Sequence, residues 1–487
     1  MFGRKQLSDT RKIMNRKIYG ISGLLIFFIV IIIRFSDLFS NGTISRFMLI
    51  TYPFDQQISK SVSLANDLIQ GKITTGNKVI EQIFMPFTQE KKGLISVFAY
   101  FLPKQYALIA GLARFSEDIS SLIGMDSPQT YLIVLQNSAE KRPNGGFFGS
   151  FAVVTFDRGR MKTLELHDSY HPEWNRPDTK IVGPEWLEQF MPERDIYFVG
   201  ANKIGFTYHD GANIKTLYEK SYPGQRIRGV LFLRTDMLEQ LMPKIREQLR
   251  IRQYLNATVN LREGAERRGK KEAYESGVKA FVNTHKIDLL QSFIQQLPQL
   301  IKQRYINVYL EHISGPMHSR LREQGLTTRF ETGHAYFWDS NIIFNKIDQF
   351  VTKKVTVYDT VGTEIKSWNN DIIDLPDLSP DNLYTFVITY SLAVPETYHA
   401  FIRQLNTQYN LLLGQREEHI LGLDHEWGTR GNIYFPPQRE VISIQGDMAT
   451  QRTFATPFSS NAAYEVMMPP GSNNQMKTIR VQVLVKE

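Results

Sequence analysis

The spacing of apolar and polar positions changes character from one end of the chain to the other. Residues 18–33 (IYGISGLLIFFIVIII) carry no charge. Continued through Arg34 to Leu38 and Phe39, the run reaches about 20 residues, the length a helix needs to cross a bilayer. Arg34 can reach the interface with its long side chain. Residues 40–127 then follow helical spacing: Ile58, Val62, Leu64, Leu68 and Ile69 share one face, and Val79, Ile80, Ile83 and Phe84 another. This predicts a helical stalk or collar. A second apolar stretch, residues 93–113, is broken by Pro103-Lys104-Gln105, and each half is too short to span. Two core or membrane-surface helices fit it better.

From Thr130 the period becomes that of strands. Tyr131–Leu135 (YLIVL) is an unbroken apolar run of buried-strand type, and Phe148–Phe156 follows. Asp157-Arg158-Gly159-Arg160 makes a turn into the alternating strand Met161–His167. Helix and strand then alternate. Asp210 is placed to cap a helix running to Tyr222, Gly229–Leu233 reads as a strand, and Thr235 as the cap of the next helix. Residues 256–275 are polar and charged, 287–303 amphipathic, and Tyr305–Leu310 a strand. Beyond about Asp348 the helical spacing fades. Val351–Tyr358, Tyr384–Leu392, Glu440–Gln445 and Thr478–Val485 alternate or carry β-branched runs, with a short helical stretch at His399–Leu413. The predicted organisation is a tail (1–17), a transmembrane helix (18–39), the stalk (40–127), an α/β or α+β core (128–348) and a β-sandwich-like C-terminal domain (349–487).

Composition sharpens this picture at two points. The chain has 487 residues and no cysteine, which excludes disulfides, zinc–thiolate sites, iron–sulfur clusters and a cysteine nucleophile. Its net charge is +8, but residues 1–17 hold six basic residues against Asp9 alone. Most of the excess therefore sits in one tail, and nucleic acid is not an expected partner. A basic tail directly before an apolar run predicts a cytoplasmic N-terminus, with everything from about residue 40 outside. No small-x-small cleavage site follows, so the segment reads as a retained single-pass anchor in the lipid bilayer of the cell membrane.

Candidate chemistry concentrates between the first two core strands, in Gln136–Ser150 (QNSAEKRPNGGFFGS). Gly145 and Gly146 let backbone amides approach an anion, and Lys141 and Arg142 add charge that could hold phosphate. The same residues also make an ordinary connecting turn. His167-Asp168-Ser169-Tyr170-His171 ends a strand and offers metal-ligating side chains, although Pro172 argues against a helix that would align them. Arg194 and Asp195 lie near another junction. Asp339, Asn341, Asn345 and Asp348 carry oxygens, without the glycine and glutamate of an EF-hand loop. Serine-hydrolase and glycosidase signatures are absent.

The run YLIVLQNSAEKRPNGGFFGS resembles the motif of the bacterial family of domain of unknown function 4012 (DUF4012), with Asn144 where that family has threonine. The likeness continues through His167-Asp168-Ser169-Tyr170, Arg194-Asp195 and Phe337–Asp348, and covers about 125–350. The order of elements, with the run Gly205–Met242, is also similar to the LytR–CpsA–Psr enzymes. These move lipid-pyrophosphate-linked glycopolymers onto peptidoglycan. That resemblance implies roles for Arg142, Asp168, Arg194 and Asp195, with Asp168 and Asp195 holding Mg²⁺. It implies as partner a polyprenyl-phosphate glycan or another anionic cell-wall polymer. The competing expectation is a non-catalytic envelope scaffold, in which the Gly-Gly loop is architecture and the β-rich domain docks other envelope proteins.

Overall fold

The computed structural model describes most of residues 116–241 and 299–486, with breaks of which 184–194 and 401–426 are the longest. The expected anchor, nearly all of the stalk, residues 256–275 and the helical stretch 399–413 lie outside the described residues. Among the described residues no helix is long and apolar enough to cross a membrane.

What is described is rich in strands, arranged in several sheets. A short helix, α1 (Ser116–Leu122), leads into β1 (Gln129–Asn137), β2 (Phe147–Asp157) and β3 (Arg160–Asp168). These three strands form an antiparallel meander. The β2–β3 turn places Arg158 and Gly159 in succession at φ 52° and 74°. Two left-handed residues match the twist of the flanking strands. After the small pair β4 (Ile181–Val182) and β5 (Asp195–Ile196) come α2 (Thr207–Ser221), β6 (Gly229–Arg234) and α3 (Met237–Leu241). β7 (Ile306–Leu310) and α4 (Gly315–Glu323) complete the segment.

The sheet order is β3-β2-β1-β6-β7, and β1 runs parallel to β6 while the other neighbours are antiparallel. Leu132, Val134, Phe148 and Phe151 pack on one face with Ile214, Leu217 and Tyr218 of α2. Ile133, Val154 and Phe156 pack on the other with Met237, Leu241 and Leu300. Burial on both faces is why β1 reads as a continuous apolar run rather than an alternating one. One detail differs from expectation. α2 begins at Thr207, and Asp210 sits inside its first turn instead of at the cap. The Asp210 carboxylate accepts the N–H groups of Ile204 and Gly205 in the turn before the helix.

The remaining strands build two more sheets. They are β8 (His334–Asn341), β9 (Val351–Tyr358), β10 (Glu364–Trp368), β11 (Ile372–Asp374), β12 (Leu383–Leu392), β13 (Trp427–Phe435), β14 (Arg439–Gly446), β15 (Thr450–Thr456), β16 (Ser459–Met468) and β17 (Gln475–Val485). One sheet has the order β10-β9-β12-β17-β14 and the other β11-β8-β13-β16-β15. Val355, Phe386, Ile388 and Val481 of the first meet Phe337, Phe435 and Val466 of the second in one apolar cluster. This is a two-sheet sandwich.

The sandwich takes in β8, which precedes the boundary expected at residue 349. Alternate residues of β8 serve different cores. Ala335 and Phe337 face the sandwich interior, whereas Tyr336 and Trp338 face the α/β segment. Phe206 lies edge-on to Tyr336, Trp338 and Tyr434, with ring centroids 5.0, 5.9 and 5.4 Å away. The β8–β13–β16 sheet is therefore buried on both sides.

Gly431 in β13 is held to its residue type by this packing. A Cβ there would stand 2.2 Å from Cζ of Tyr464, its cross-strand partner on β16. The Tyr464 hydroxyl is in turn 2.8 Å from that of Tyr390, which donates to Asp339 at 2.6 Å. Gly431→Ala should displace the ring and cost about 1–3 kcal/mol of stability, read as a lower urea midpoint. An unchanged midpoint would show that the Tyr464 ring is free to move.

Candidate functional site

The Gly-Gly loop starts where β1 loses its register against β2, between Leu135 and Asn137. Its backbone closes on itself through Glu140 N–H to Asn137 O, Gly145 N–H to Arg142 O and Phe147 N–H to Glu140 O. Gly145 and Gly146 have φ of 99° and 148°. A Cβ on Gly145 would lie 2.7 Å from Gln136 Oε1, and one on Gly146 2.4 Å from the Asn137 carbonyl oxygen. The glycines are thus required by the approach of the loop to its own strand. Gln136 Nε2 donates to the Asn144 carbonyl, and Asn202 Nδ2 donates to the Gly146 carbonyl at 2.7 Å.

Arg142 is 9% exposed, and its Nη2 donates to Glu140 Oε1 at 3.0 Å. Its guanidinium also lies 5.6 Å from the Phe147 ring centroid. Burial pulls its pKa below the ordinary arginine value, and the charges of Glu140 and Asp348 oppose that pull. The next residue back ties the loop to the sandwich. Lys141 N–H donates to Asp348 Oδ2 at 2.7 Å, while the other oxygen of Asp348 accepts Trp427 Nε1–H at 2.8 Å. Lys141 Nζ is 4.0 Å from Asp339, whose carboxylate pairs with Lys353 at 2.7 Å. The two sequence segments that carry the family resemblance are therefore bonded to each other.

The other candidate residues have contacts of their own, and the turn after Asp168 reaches the loop, with the Tyr170 ring centroid 5.4 Å from that of Phe147. Asp168 is exposed at the end of β3, opposite Ser150, and its Oδ1 accepts the Tyr170 N–H at 2.9 Å. Asp195, in β5, pairs with Lys180. Arg194 lies outside the described residues. His167 stacks on Phe151 with centroids 5.2 Å apart, and His171 donates its N–H to the Asp168 carbonyl. Among the described residues, no group of three or more His, Asp and Glu is placed to hold a metal ion.

A second set of polar residues, without a recognisable sequence pattern, meets around Asn144. Arg304 Nη2 donates to Asn144 Oδ1 at 2.9 Å and to the Gly205 carbonyl at 3.3 Å, with its Cζ 4.5 Å from the Trp338 ring centroid. Arg304 itself adopts φ 57°. Asp210 is fully buried beside them, as is Tyr434 of the sandwich, whose hydroxyl is pushed above its ordinary pKa by burial first and by Asp210 second. Only the positive φ of Arg304 breaks a local rule, and a sequence does not display it.

Burial pushes the Asp210 carboxyl up to about 8, against the two backbone N–H donors, Arg304 and Asn144, which all favour the anion. The native state then keeps a proton that the unfolded chain releases near 3.8. Its contribution to stability is complete below about pH 4 and is lost as pH rises toward about 8. Unfolding midpoints measured across that window should fall with pH in the native chain. In the Asp210→Asn variant the slope should be shallower. Equal slopes would show that Asp210 is ionised throughout.

No curated protein matches this chain. The resemblance drawn over about 125–350 is met over the part that holds β1 to α3. Residues 126–250 match the family model described as protein of unknown function (DUF4012), which supports placing this α/β segment in that family.

Proposed function

We propose that this protein is a membrane-anchored, extracytoplasmic scaffold of the cell envelope, whose α/β segment and sandwich act together as one docking body. The observation that carries the scaffold reading is the state of Arg142. Its guanidinium is buried and paired with Glu140 at 3.0 Å, in a loop whose backbone is bonded to Asp348 of the sandwich side. A residue that neutralises a ligand phosphate needs donors aimed at the ligand. Asp168 and Asp195, which polymer transfer would place with Arg142, have their own partners at Tyr170 and Lys180. Polymer transfer of the LytR–CpsA–Psr kind therefore stands second. The anchor and its orientation rest on the basic tail and the apolar run of residues 18–39.

Removing one partner of a buried pair strands the other charge. Arg142→Ala should therefore lower stability by about 3–5 kcal/mol. Binding of the folded variant to vesicles containing polyprenyl phosphate should match that of the native chain. Lost vesicle binding with unchanged stability would reverse the order of the two readings.

Location is tested independently. Protease added outside intact cells should degrade a C-terminal epitope tag and leave an N-terminal one. A protected C-terminal tag would remove the envelope reading altogether.

A further inference from the structure

An amine and a carboxyl group face each other inside the sandwich. Asp339 follows Ala335 and Phe337 on the inward face of β8, and Lys353 lies between Val351 and Val355 on the inward face of β9. β8 and β9 belong to different sheets, so the pair bridges the two layers. Lys353 is 7% exposed and Asp339 5%. Lys353 Nζ stands 2.7 Å from Asp339 Oδ2, yet Oδ2 accepts no hydrogen bond, so the amine approaches off the hydrogen-bonding direction. Nζ instead donates to the Phe337 carbonyl at 2.7 Å. The other carboxylate oxygen, Oδ1, accepts the Tyr390 hydroxyl at 2.6 Å, and the Tyr464 hydroxyl lies 2.8 Å behind that. Strand register assembles the group. Tyr390 on β12 is directly across from Lys353, and Gly431 on β13 is directly across from both Asp339 and Tyr464.

From this arrangement we infer that Lys353 and Asp339 condense into an amide, an isopeptide bond that joins β8 to β9 through their side chains. Two ions in a dry interior carry a larger desolvation cost than a neutral amine beside a neutral acid, which favours passing one proton from Nζ to Oδ2. The neutral amine is then a nucleophile held against the carboxyl group, and that proximity replaces the high concentration free partners would need. Nζ attacks Cγ, and the Tyr390 O–H aimed at Oδ1 stabilises the negative charge that develops there. Burial first and Asp339 second hold that hydroxyl above its ordinary pKa, so it keeps its proton. A second proton passes from Nζ to Oδ2, the Cγ–Oδ2 bond breaks, and Oδ2 departs as water. An ammonium and a carboxylate thus become an amide and one water, with no co-reactant consumed. The single N–H left on Nζ keeps the Phe337 carbonyl as its acceptor. Lys141 Nζ is 4.0 Å from the same Oδ2, farther away and on a partly solvated side chain. In a chain without cysteine, the amide is the covalent tie that a disulfide supplies elsewhere. The inference goes beyond the scaffold reading and does not depend on it.

The test reads the full-length protein, purified in detergent and then denatured, by intact mass and tryptic mapping. The native chain should be lighter than its sequence mass by one water. Trypsin cuts after Lys346, between the two residues, so an unlinked chain yields them on separate peptides. The native chain should yield them joined in one branched peptide, with no cut after Lys353. Lys353→Arg should keep its full mass. Tyr390→Phe, which keeps the ring and loses the donor, should leave a mixture of linked and unlinked chain. A native chain at its full sequence mass would overturn the proposal. Loss of water without a branched peptide would do so too, since it marks an aspartate cyclised on its own backbone, as would a branch that maps to Lys141. Complete linkage in Tyr390→Phe would remove that hydroxyl from the reaction.

Discussion

Asp348 is almost completely buried, and a carboxylate in that position must have both oxygens satisfied or carry a prohibitive desolvation cost. One oxygen takes a backbone N–H from the Gly-Gly loop, and the other takes the indole N–H of Trp427. The three groups come from the α/β segment, the turn into β9, and β13. None of them can be satisfied this way unless the two layered structures are already together. The close fit of Gly145 and Gly146 against β1 has the same logic, because it sets where Lys141 presents its N–H.

Around this point the structure spends charge where apolar packing would seem simpler. Asp339, Lys353, Tyr390 and Tyr464 form a buried chain of ionic and hydroxyl contacts at the sandwich core. Burial and the neighbouring Asp339 drive the Tyr390 hydroxyl well above its ordinary pKa, so it remains a donor. Such networks contribute little net stability compared with hydrophobic isosteres, but they tolerate one arrangement only. Here Lys353 also donates to the Phe337 carbonyl, which ties β9 to β8 across the sandwich.

The parts legible in the sequence are those with an unbroken apolar run, a plain alternation or a marked turn. β1, β2 and β3 form a meander, and the Arg158-Gly159 turn between β2 and β3 announces itself. β9, β12 and β17 alternate because one face is solvated. β8 and β13 were not legible as strands, because a sheet buried on both faces has no alternation to read: HAYFWDSN and WGTRGNIYF mix aromatic, charged and glycine positions without a period. The polar contacts were hidden for a different reason. Arg304 meets Asn144 across 160 residues, and Lys141 meets Asp348 across 207. The motif marked the loop, but neither the pairing of Arg142 with Glu140 nor that of the Lys141 N–H with Asp348 could be read from it.

The double burial of β8 bears on how such a chain can be divided. A strand whose odd positions belong to one core and whose even positions belong to another is not a boundary in any physical sense. Cutting after it would expose Ala335 and Phe337, and cutting before it would expose Phe206 and the ring face of Tyr434. The physically contiguous unit is accordingly longer than the 126–250 segment that matches the family model, which also lacks β7 at the edge of its own sheet. Shuffling of the α/β segment onto an unrelated partner would have to recreate an aromatic sheet face and a buried carboxylate at one stroke.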